Sequence, residues 1–173
     1  MRFSACTLLA AILFATAQFA SAEDKMTVAA RSTSKFVNLP GLPTCTTASV
    51  QKGDPSKGGS VILAKASVGC VIPWHWHTPN EHVMMVAGNA KVEMKDNPAA
   101  TLHTGDYVYL PANGVHQFTC LAACTIFIVS DSAFDIHYVD ANGKEIPADE
   151  ALKSKAKASM KKAPKKDMKD MKM

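Results

Sequence analysis

The sequence has few cysteines, no long helical period and no internal repeat. Five cysteines in 173 residues are too few for a small domain held together mainly by disulfides. Between residues 30 and 140 no stretch keeps a 3.6-residue hydrophobic period for three turns, which argues against a helical domain. No repeat at longer period indicates a duplicated domain. The hydrophobic content of 47%, in contrast, excludes disorder of the whole chain and suits one packed domain.

Beyond residue 22 no run is long and apolar enough to span a bilayer. Residues 1–22 have the three parts of a secretory signal peptide: a basic Arg2, an apolar run over residues 7–15, and the small residues Ala20-Ser21-Ala22. We predict cleavage after Ala22 and a periplasmic or secreted mature protein. An uncleaved membrane anchor is the alternative, but the apolar run is short for a span.

The net charge of +4 is unevenly distributed along the chain. Residues 153–173 hold nine Lys and two Asp, with no aromatic residue and no apolar period, which predicts a disordered basic tail. Residues 23–152 hold nine basic and thirteen acidic residues, so the predicted domain is mildly acidic. This charge removes the main electrostatic argument for nucleic-acid binding by the domain.

Three interpretations of the tail stay open. It is a solvated basic segment, it contacts an anionic membrane surface weakly through its lysines, or its methionines bind Cu(I) through their thioethers. The methionines concerned are Met160, Met168, Met171 and Met173.

The domain is predicted to be all-β. Short apolar or alternating runs recur about every ten residues and end at Gly, Asn, Asp or Pro, which is typical of strands separated by turns. This spacing favours an antiparallel sandwich or barrel, a class that includes jelly rolls. The runs cover residues 60–66, 82–87, 90–94, 106–110, 124–129 and 134–139.

One group of residues carries metal-binding chemistry. His75 and His77 stand at i and i+2, so on a strand their side chains point to the same face. Glu81 starts the next strand after a bend, and a neighbouring strand can supply His116. Three imidazoles and one carboxylate suit a divalent Fe, Mn, Ni, Cu or Zn ion. Four protein ligands on an octahedral ion leave two positions for water, oxygen or substrate.

This spacing resembles the two motifs of the cupin family. The series Gly69-x5-His75-x-His77-x3-Glu81-x6-Gly88 is similar to the first motif at every defined position. Gly105-x5-Pro111, followed by His116, is similar to most of the second. Two positions depart from the second motif, neither of them a ligand: Asn113 replaces a glycine, with Gly114 one place later, and Cys120 replaces the terminal asparagine.

The resemblance implies a double-stranded β-helix (jelly-roll) barrel with His75, His77, Glu81 and His116 as metal ligands. It divides the chain into a signal peptide (1–22), N-terminal strands and loops packed on the barrel (23–59), the barrel (60–140), a C-terminal extension (141–152) and the tail (153–173). It also implies a homodimer and a small-molecule substrate. A quercetin-dioxygenase-like oxidoreductase is the first hypothesis, with Glu81 as a proton acceptor once it leaves the metal. The alternatives are a cupin isomerase or decarboxylase and a non-enzymatic metal- or ligand-binding or sensing module.

Alternation along the strands predicts which residues near the ligands face the site and which face away from it. Val83, Met85 and Phe118 share parity with Glu81 or His116 and are predicted pocket walls, although ordinary core packing explains them equally well. Trp74 and Trp76 are expected to face away from the ligand pair. His82 is expected to point away from the site. His103 and His137 are expected on the surface or just behind the ligands, with His103 the better candidate for the second place.

Four cysteines remain after removal of the signal peptide, an even number in an oxidising compartment. Cys120 and Cys124 flank three residues, and a hairpin there would set them opposite each other at bridging distance. Cys45 and Cys70 would then form the second pair, although three connectivities exist. The rival interpretation is free thiols, with Cys120 near the metal as a modifier of the site.

Overall fold

The computed structural model describes residues 26–153. The predicted signal peptide and residues 154–173 of the predicted tail lie outside this part of the chain. Over residues 26–153, no helix has the length and apolar character needed to cross a membrane.

Within residues 26–153, ten β-strands form two antiparallel five-stranded sheets, which confirms the predicted all-β barrel. One sheet has the order β1-β2-β9-β4-β7 and the other the order β10-β3-β8-β5-β6. The strands are β1 (Thr46–Gly53), β2 (Ser60–Ala66), β3 (Val71–Trp76), β4 (Glu81–Ala87), β5 (Asn89–Met94), β6 (Ala100–His103), β7 (Tyr107–Leu110), β8 (His116–Cys120), β9 (Cys124–Ser130) and β10 (His137–Tyr138).

Alternation along the strands decides which side chains enter the barrel. In β4 the buried residues are Glu81, Val83 and Met85, and in β8 they are every second residue from His116 to Cys120. Because side chains on a strand alternate between its two faces, each of these strands brings one polar group and two apolar ones into the interior. The interior therefore combines an apolar core with a polar cluster. This cluster includes Glu81 at the start of β4 and His116 at the start of β8.

The segments that flank the barrel are tied to its outer strands. Val37 pairs through its backbone with Ala48 of β1, and Val139 pairs with Glu145 after β10. Residues 148–153 are helical and follow Pro147, whose fixed φ suits the start of a helix. The apolar run predicted over residues 134–139 forms a strand only at His137 and Tyr138, because its first part is a loop that packs on the polar cluster.

The predicted Cys45–Cys70 disulfide is present and joins the start of β1 to the start of β3 across 25 residues. Cys120 and Cys124 are free and buried, so the second predicted disulfide is absent from this structure. The predicted hairpin between them was wrong, because β8 and β9 belong to different sheets and pair with other strands. The two thiols nevertheless lie close enough to interact, since burial and the neighbouring Cys124 thiol together raise the pKa of Cys120.

Candidate metal centre

Three imidazoles converge inside the barrel. The ligand atoms of His75, His77 and His116 lie within 4.8 Å of one another, and all three side chains are buried. No other group of three or more such side chains in residues 26–153 is close enough to hold a metal ion. The structure therefore brings together the three histidines that the sequence assigned to one site.

A β-bulge positions His75. The register between β3 and β8 pairs Ile72 with Phe118 and then His75 with His116, so β3 carries one extra residue at this point. Pro73 lies in the bulge, where a residue without an N–H is tolerated. Its carbonyl accepts a hydrogen bond from His75 Nδ1 at 2.6 Å. The bulge thus sets His75 beside His116, with their ring centroids 4.2 Å apart.

The loop before β10 positions His77. The backbone carbonyl of Asp135 accepts a hydrogen bond from His77 Nδ1, and the ring of Phe134 packs on the imidazole with a centroid distance of 4.4 Å. The Asp135 carboxylate anchors this loop, because it accepts hydrogen bonds from the Thr78 amide at 2.7 Å and the Thr78 hydroxyl at 2.5 Å. His77 is therefore held by a segment 58 residues away in sequence.

A tight turn before β8 positions His116. Asn113 has a φ of +61°, a conformation that asparagine adopts more readily than most residues, and Gly114 follows it. A Cβ at Gly114 would lie 2.4 Å from the Met94 side chain and 2.9 Å from the Pro111 carbonyl, so only glycine fits. The Gly114 carbonyl accepts a hydrogen bond from His116 Nδ1 at 2.8 Å. The departure from the family motif at position 113 thus leaves the turn intact.

Glu81 lies against the imidazoles. Its Oε2 atom is 3.4 Å from His77 Nε2 and 3.5 Å from His116 Nε2, and the residue is buried. Burial by itself disfavours the carboxylate, but the hydrogen bonds and charges of His116 and His77 hold the pKa of Glu81 well below its usual range. Glu81 is therefore an anion in the barrel interior at neutral pH.

This environment shifts the pKa values of His75 and His77 in opposite directions. Burial lowers the pKa of His75 well below its ordinary value, and the nearby His116 and His77 add to the effect. Burial also opposes protonation of His77, but its hydrogen bond and attraction to Glu81 outweigh this and raise the pKa of His77. A divalent cation between these groups would replace the proton that Glu81 and His77 share in the metal-free protein.

The donor set fits a divalent transition metal. Each Nδ1 of the three histidines is engaged by a backbone carbonyl, so the neutral rings carry their proton there and leave the Nε2 lone pair free. Two of these Nε2 atoms face the Glu81 carboxylate. Imidazole and carboxylate ligands suit Fe, Mn, Ni, Cu or Zn, and the donor atoms do not select among them.

A cavity of about 70 Å³ adjoins the histidines. Val83 and Phe118 line it, in agreement with their predicted place, and the free thiols of Cys120 and Cys124 line it as well. Met85 does not line the cavity; it is buried in the core instead, since its position in β4 lies two residues further from the site. Leu42 and Ile136 contribute from the segments that flank the barrel.

The remaining histidines lie outside the cluster. His82 hydrogen-bonds the Tyr107 hydroxyl at 2.7 Å, and His103 forms an ion pair with Asp106. His103 was the preferred candidate for a place behind the ligands, and this was wrong: His137 stacks on Trp76 and contacts the carboxylate of Asp135 at 3.3 Å. Asp135 and Phe134 were not recognised from the sequence, which offers no local signal for them.

Comparison with known proteins supports the same fold. Residues 63–130 match the family model described as Cupin domain. No curated protein matches the sequence. The barrel strands of this chain thus resemble a cupin domain, and three histidines there are positioned to bind a metal ion.

Solved structures extend the likeness over more of the chain. The polyketide cyclase RemF from Streptomyces resistomycificus has a TM-score of 0.58 at 16% identity, covering 67% of this chain and 87% of its own. An RmlC-like cupin from Shewanella frigidimarina has a TM-score of 0.53 at 14% identity, covering 63% and 92%. A putative ethanolamine utilization protein Q from Salmonella typhimurium has a TM-score of 0.53 at 18% identity, covering 61% and 85%. At these identities the likeness establishes the fold alone.

Proposed function

We propose that this protein is an exported metal-dependent cupin that acts on a small molecule, with dioxygenase-like oxidoreductase chemistry as the first hypothesis. The observation that carries the proposal is the convergence of three imidazoles and one carboxylate beside a largely apolar cavity. A redox-active metal held there would polarise a bound substrate or oxygen, and the adjoining cavity would receive the substrate.

The chain's own residues have distinct tasks in this proposal. His75, His77 and His116 hold the metal through Nε2, and the backbone carbonyls at their Nδ1 atoms fix the ring orientations. Glu81 is the fourth ligand, and its carboxylate can take a proton from a bound substrate because it lies at the edge of the donor set. The apolar walls exclude water from the reacting group.

The decisive experiment measures metal content and oxygen consumption on one preparation. Protein taken from its native compartment should contain close to one equivalent of Fe, Mn, Ni or Cu, and a His75→Ala variant should contain none. Oxygen uptake that depends on an added substrate supports the oxidoreductase. Turnover without oxygen uptake supports an isomerase or decarboxylase instead. Absence of any bound metal from the native protein contradicts the proposal.

A non-enzymatic metal- or ligand-binding module is the second candidate. The observation that favours it is burial: the four side chains are 2–5% exposed, which resembles a closed site. Tightly held zinc without turnover would support this candidate and exclude the dioxygenase.

Export, dimer formation and weak contact of the basic tail with anionic membranes complete the proposal. The signal-like residues 1–22 and the lysines of residues 153–173 are its basis. Mass spectrometry of the mature protein should find an N-terminus at Glu23, and equilibrium sedimentation should find a dimer.

A further inference from the structure

The cavity beside the histidines has one polar wall and several apolar ones. His75, His77, His116 and Glu81 form the polar wall. The opposite walls are built mainly from aliphatic and aromatic side chains, among them Ala64, Ile72, Val83, Phe118, Ile126 and Ile128. A ligand in this cavity would therefore meet few hydrogen-bonding groups besides the three histidines and Glu81.

The cavity offers a charged ligand one cation, and the Phe36 ring already engages it. Among the lining residues Lys65 is the one with a permanently basic side chain, and its Nζ lies 3.6 Å from the centroid of the Phe36 ring. Arg31, the single arginine in the part of the chain that the structure describes, is exposed and does not line the cavity. A second carboxylate or a phosphate on a ligand would lose its hydration here, and it would gain an ionic partner only by drawing Lys65 away from the Phe36 ring.

The cavity also offers little to a polyol. Thr46 and Thr47 supply the hydroxyl groups of the wall, and the Thr46 hydroxyl already donates a hydrogen bond to the Pro43 carbonyl at 2.7 Å. A sugar needs a partner for each hydroxyl that it buries, and each one left unpaired lowers its affinity.

Size is the third constraint. The cavity volume is about 70 Å³. An apolar protein cavity of about 150 Å³ is large enough to hold benzene. The space beside the histidines is about half of that, so it fits an aliphatic group of about three carbons, and the six carbons of an aromatic ring exceed it.

We propose that this site takes a compact ligand with a single metal-binding group and an uncharged, aliphatic remainder of about three carbons. The inference rests on the proposed function for the metal, and the shape and polarity of the cavity carry the rest. It excludes flavonoid-sized aromatics, sugars and dicarboxylates as ligands of this cavity.

The experiment compares short carboxylic acids as probes for the zinc-loaded full-length protein, using NMR titration of methyl groups. Acetate, propionate and butyrate share one metal-binding group and differ by one methylene each. Since one buried methylene raises affinity about fourfold, butyrate, with two more methylenes, should bind about 16-fold more tightly than acetate. 3-Hydroxypropionate, which is close to butyrate in size, should bind no more tightly than acetate, and succinate and benzoate should bind more weakly than butyrate.

Each probe can overturn one part of the inference. Succinate or 3-hydroxypropionate that binds as tightly as butyrate contradicts the apolar remainder, and benzoate that does so contradicts the size limit. A Phe118→Leu variant enlarges the cavity and should raise the affinity for benzoate by about tenfold. Leu102→Val, a change in β6 at a core residue that does not line the cavity and pairs with Ala90, is its control and should leave the order of affinities unchanged. Ile128→Val enlarges the cavity more gently if Phe118→Leu does not fold.

Failure of the metal site and failure of this inference give different results. If no metal binds, the proposed function fails, and metal-free protein is titrated with 1-butanol and 1,4-butanediol instead. Butanol should then shift the methyl signals of Val83 and Ile126, and butanediol should not. Equal shifts from both alcohols contradict the apolar cavity whatever the metal content.

Discussion

The six histidines of this chain form two groups that differ in what holds their Nδ1 atoms. In the inner group, each Nδ1 atom meets a backbone carbonyl, that of Pro73, Asp135 or Gly114. In the outer group, the partners are the Tyr107 hydroxyl and the carboxylates of Asp106 and Glu145. The inner group is His75, His77 and His116, and the outer group is His82, His103 and His137.

The difference explains why one group can bind a metal and the other cannot. A carbonyl at Nδ1 orients the ring so that Nε2 can face a metal. Burial opposes protonation of His137, but its carboxylate partners outweigh this and raise its pKa, which favours the charged ring without a lone pair to give. Strand geometry then adds convergence, because His75 and His116 face each other across β3 and β8. The outer histidines lie apart from one another on the surface. In residues 26–153 none of them belongs to a group of three potential ligands that is close enough to hold a metal ion.

The largest expected effect comes from removing one inner imidazole. His116→Ala should lower the affinity for a divalent metal by more than about 100-fold, since loss of a direct ligand exceeds the 10–100-fold loss typical of its supporting partners. His103→Ala, which removes an exposed imidazole, is the matched control and should change the affinity by less than about twofold. Competition with a chromophoric chelator measures both. Equal losses in the two variants would abolish the distinction between the groups.

The second prediction compares the removal of one carboxylate beside the inner histidines with the removal of one beside the outer histidines. Glu81→Gln should reduce metal affinity by about 10- to 100-fold, because the anion beside His77 and His116 is replaced by a neutral amide. Glu145→Gln removes the carboxylate that pairs with His137, 2.9 Å from its Nδ1 atom, and should leave metal affinity unchanged. Calorimetric titration of both variants gives the two constants. A Glu81→Gln protein that binds metal like the wild type would exclude Glu81 as a ligand.

A smaller loss of metal affinity is expected from a change at Asp135, which contacts His77 of the inner group and His137 of the outer group. Its carbonyl holds His77, and its carboxylate holds Thr78 and contacts His137. Asp135→Ala keeps the carbonyl but frees the loop, so metal affinity should fall by about tenfold. Asp131 lies in the same loop as Asp135 and accepts a hydrogen bond from the Asn80 side chain. Asp131→Ala, which removes this bond, is the control and should have little effect on metal affinity. If the two variants behave alike, the Asp135 carboxylate does not position His77.

The inner group could be predicted from the sequence because its geometry is local. His75 and His77 are two residues apart, and the glycines and proline around them mark where strands end, so alternation alone gave their common face. His116 could be added because the spacing of the second motif resembles that of a known family. The fold followed from the same turn residues, and ten strands in two sheets were found.

The predictions that failed all depended on which strands become neighbours. A Cys120–Cys124 hairpin is the local expectation, but β9 crosses to the other sheet and pairs with β2 and β4. Asp135 reaches His77 only because β10 pairs with β3, which no short-range pattern indicates. His103 seemed close to the site because it precedes the Gly105 turn, yet β6 is an edge strand.

The last prediction concerns the pH dependence of folding stability in the metal-free protein. His75 of the inner group and His137 of the outer group should change this dependence in opposite directions. The pKa of His75 is lowered, mainly by burial, so its neutral form stabilises the fold above its ordinary pKa near 6.5 and this stability is lost as the pH falls below it. Burial opposes protonation of His137, but its carboxylate partners Glu145 and Asp135 outweigh this and raise its pKa. Its charged form therefore stabilises the fold below pH 6.5, and that stability is lost as the pH rises through the raised value.

The two substitutions should accordingly change the pH profile in opposite directions. Urea unfolding of His75→Gln should show a weaker loss of stability on acidification than the wild type shows. His137→Gln should differ most from the wild type near pH 5.5 and least near pH 9, because only the charged imidazole has the carboxylates as partners. The effect is the smallest of the four, since His137 is partly exposed and solvent screens its ion pairs. Shifts of the same sign in both variants would contradict the contrast between a buried, neutral His75 and a carboxylate-paired, charged His137.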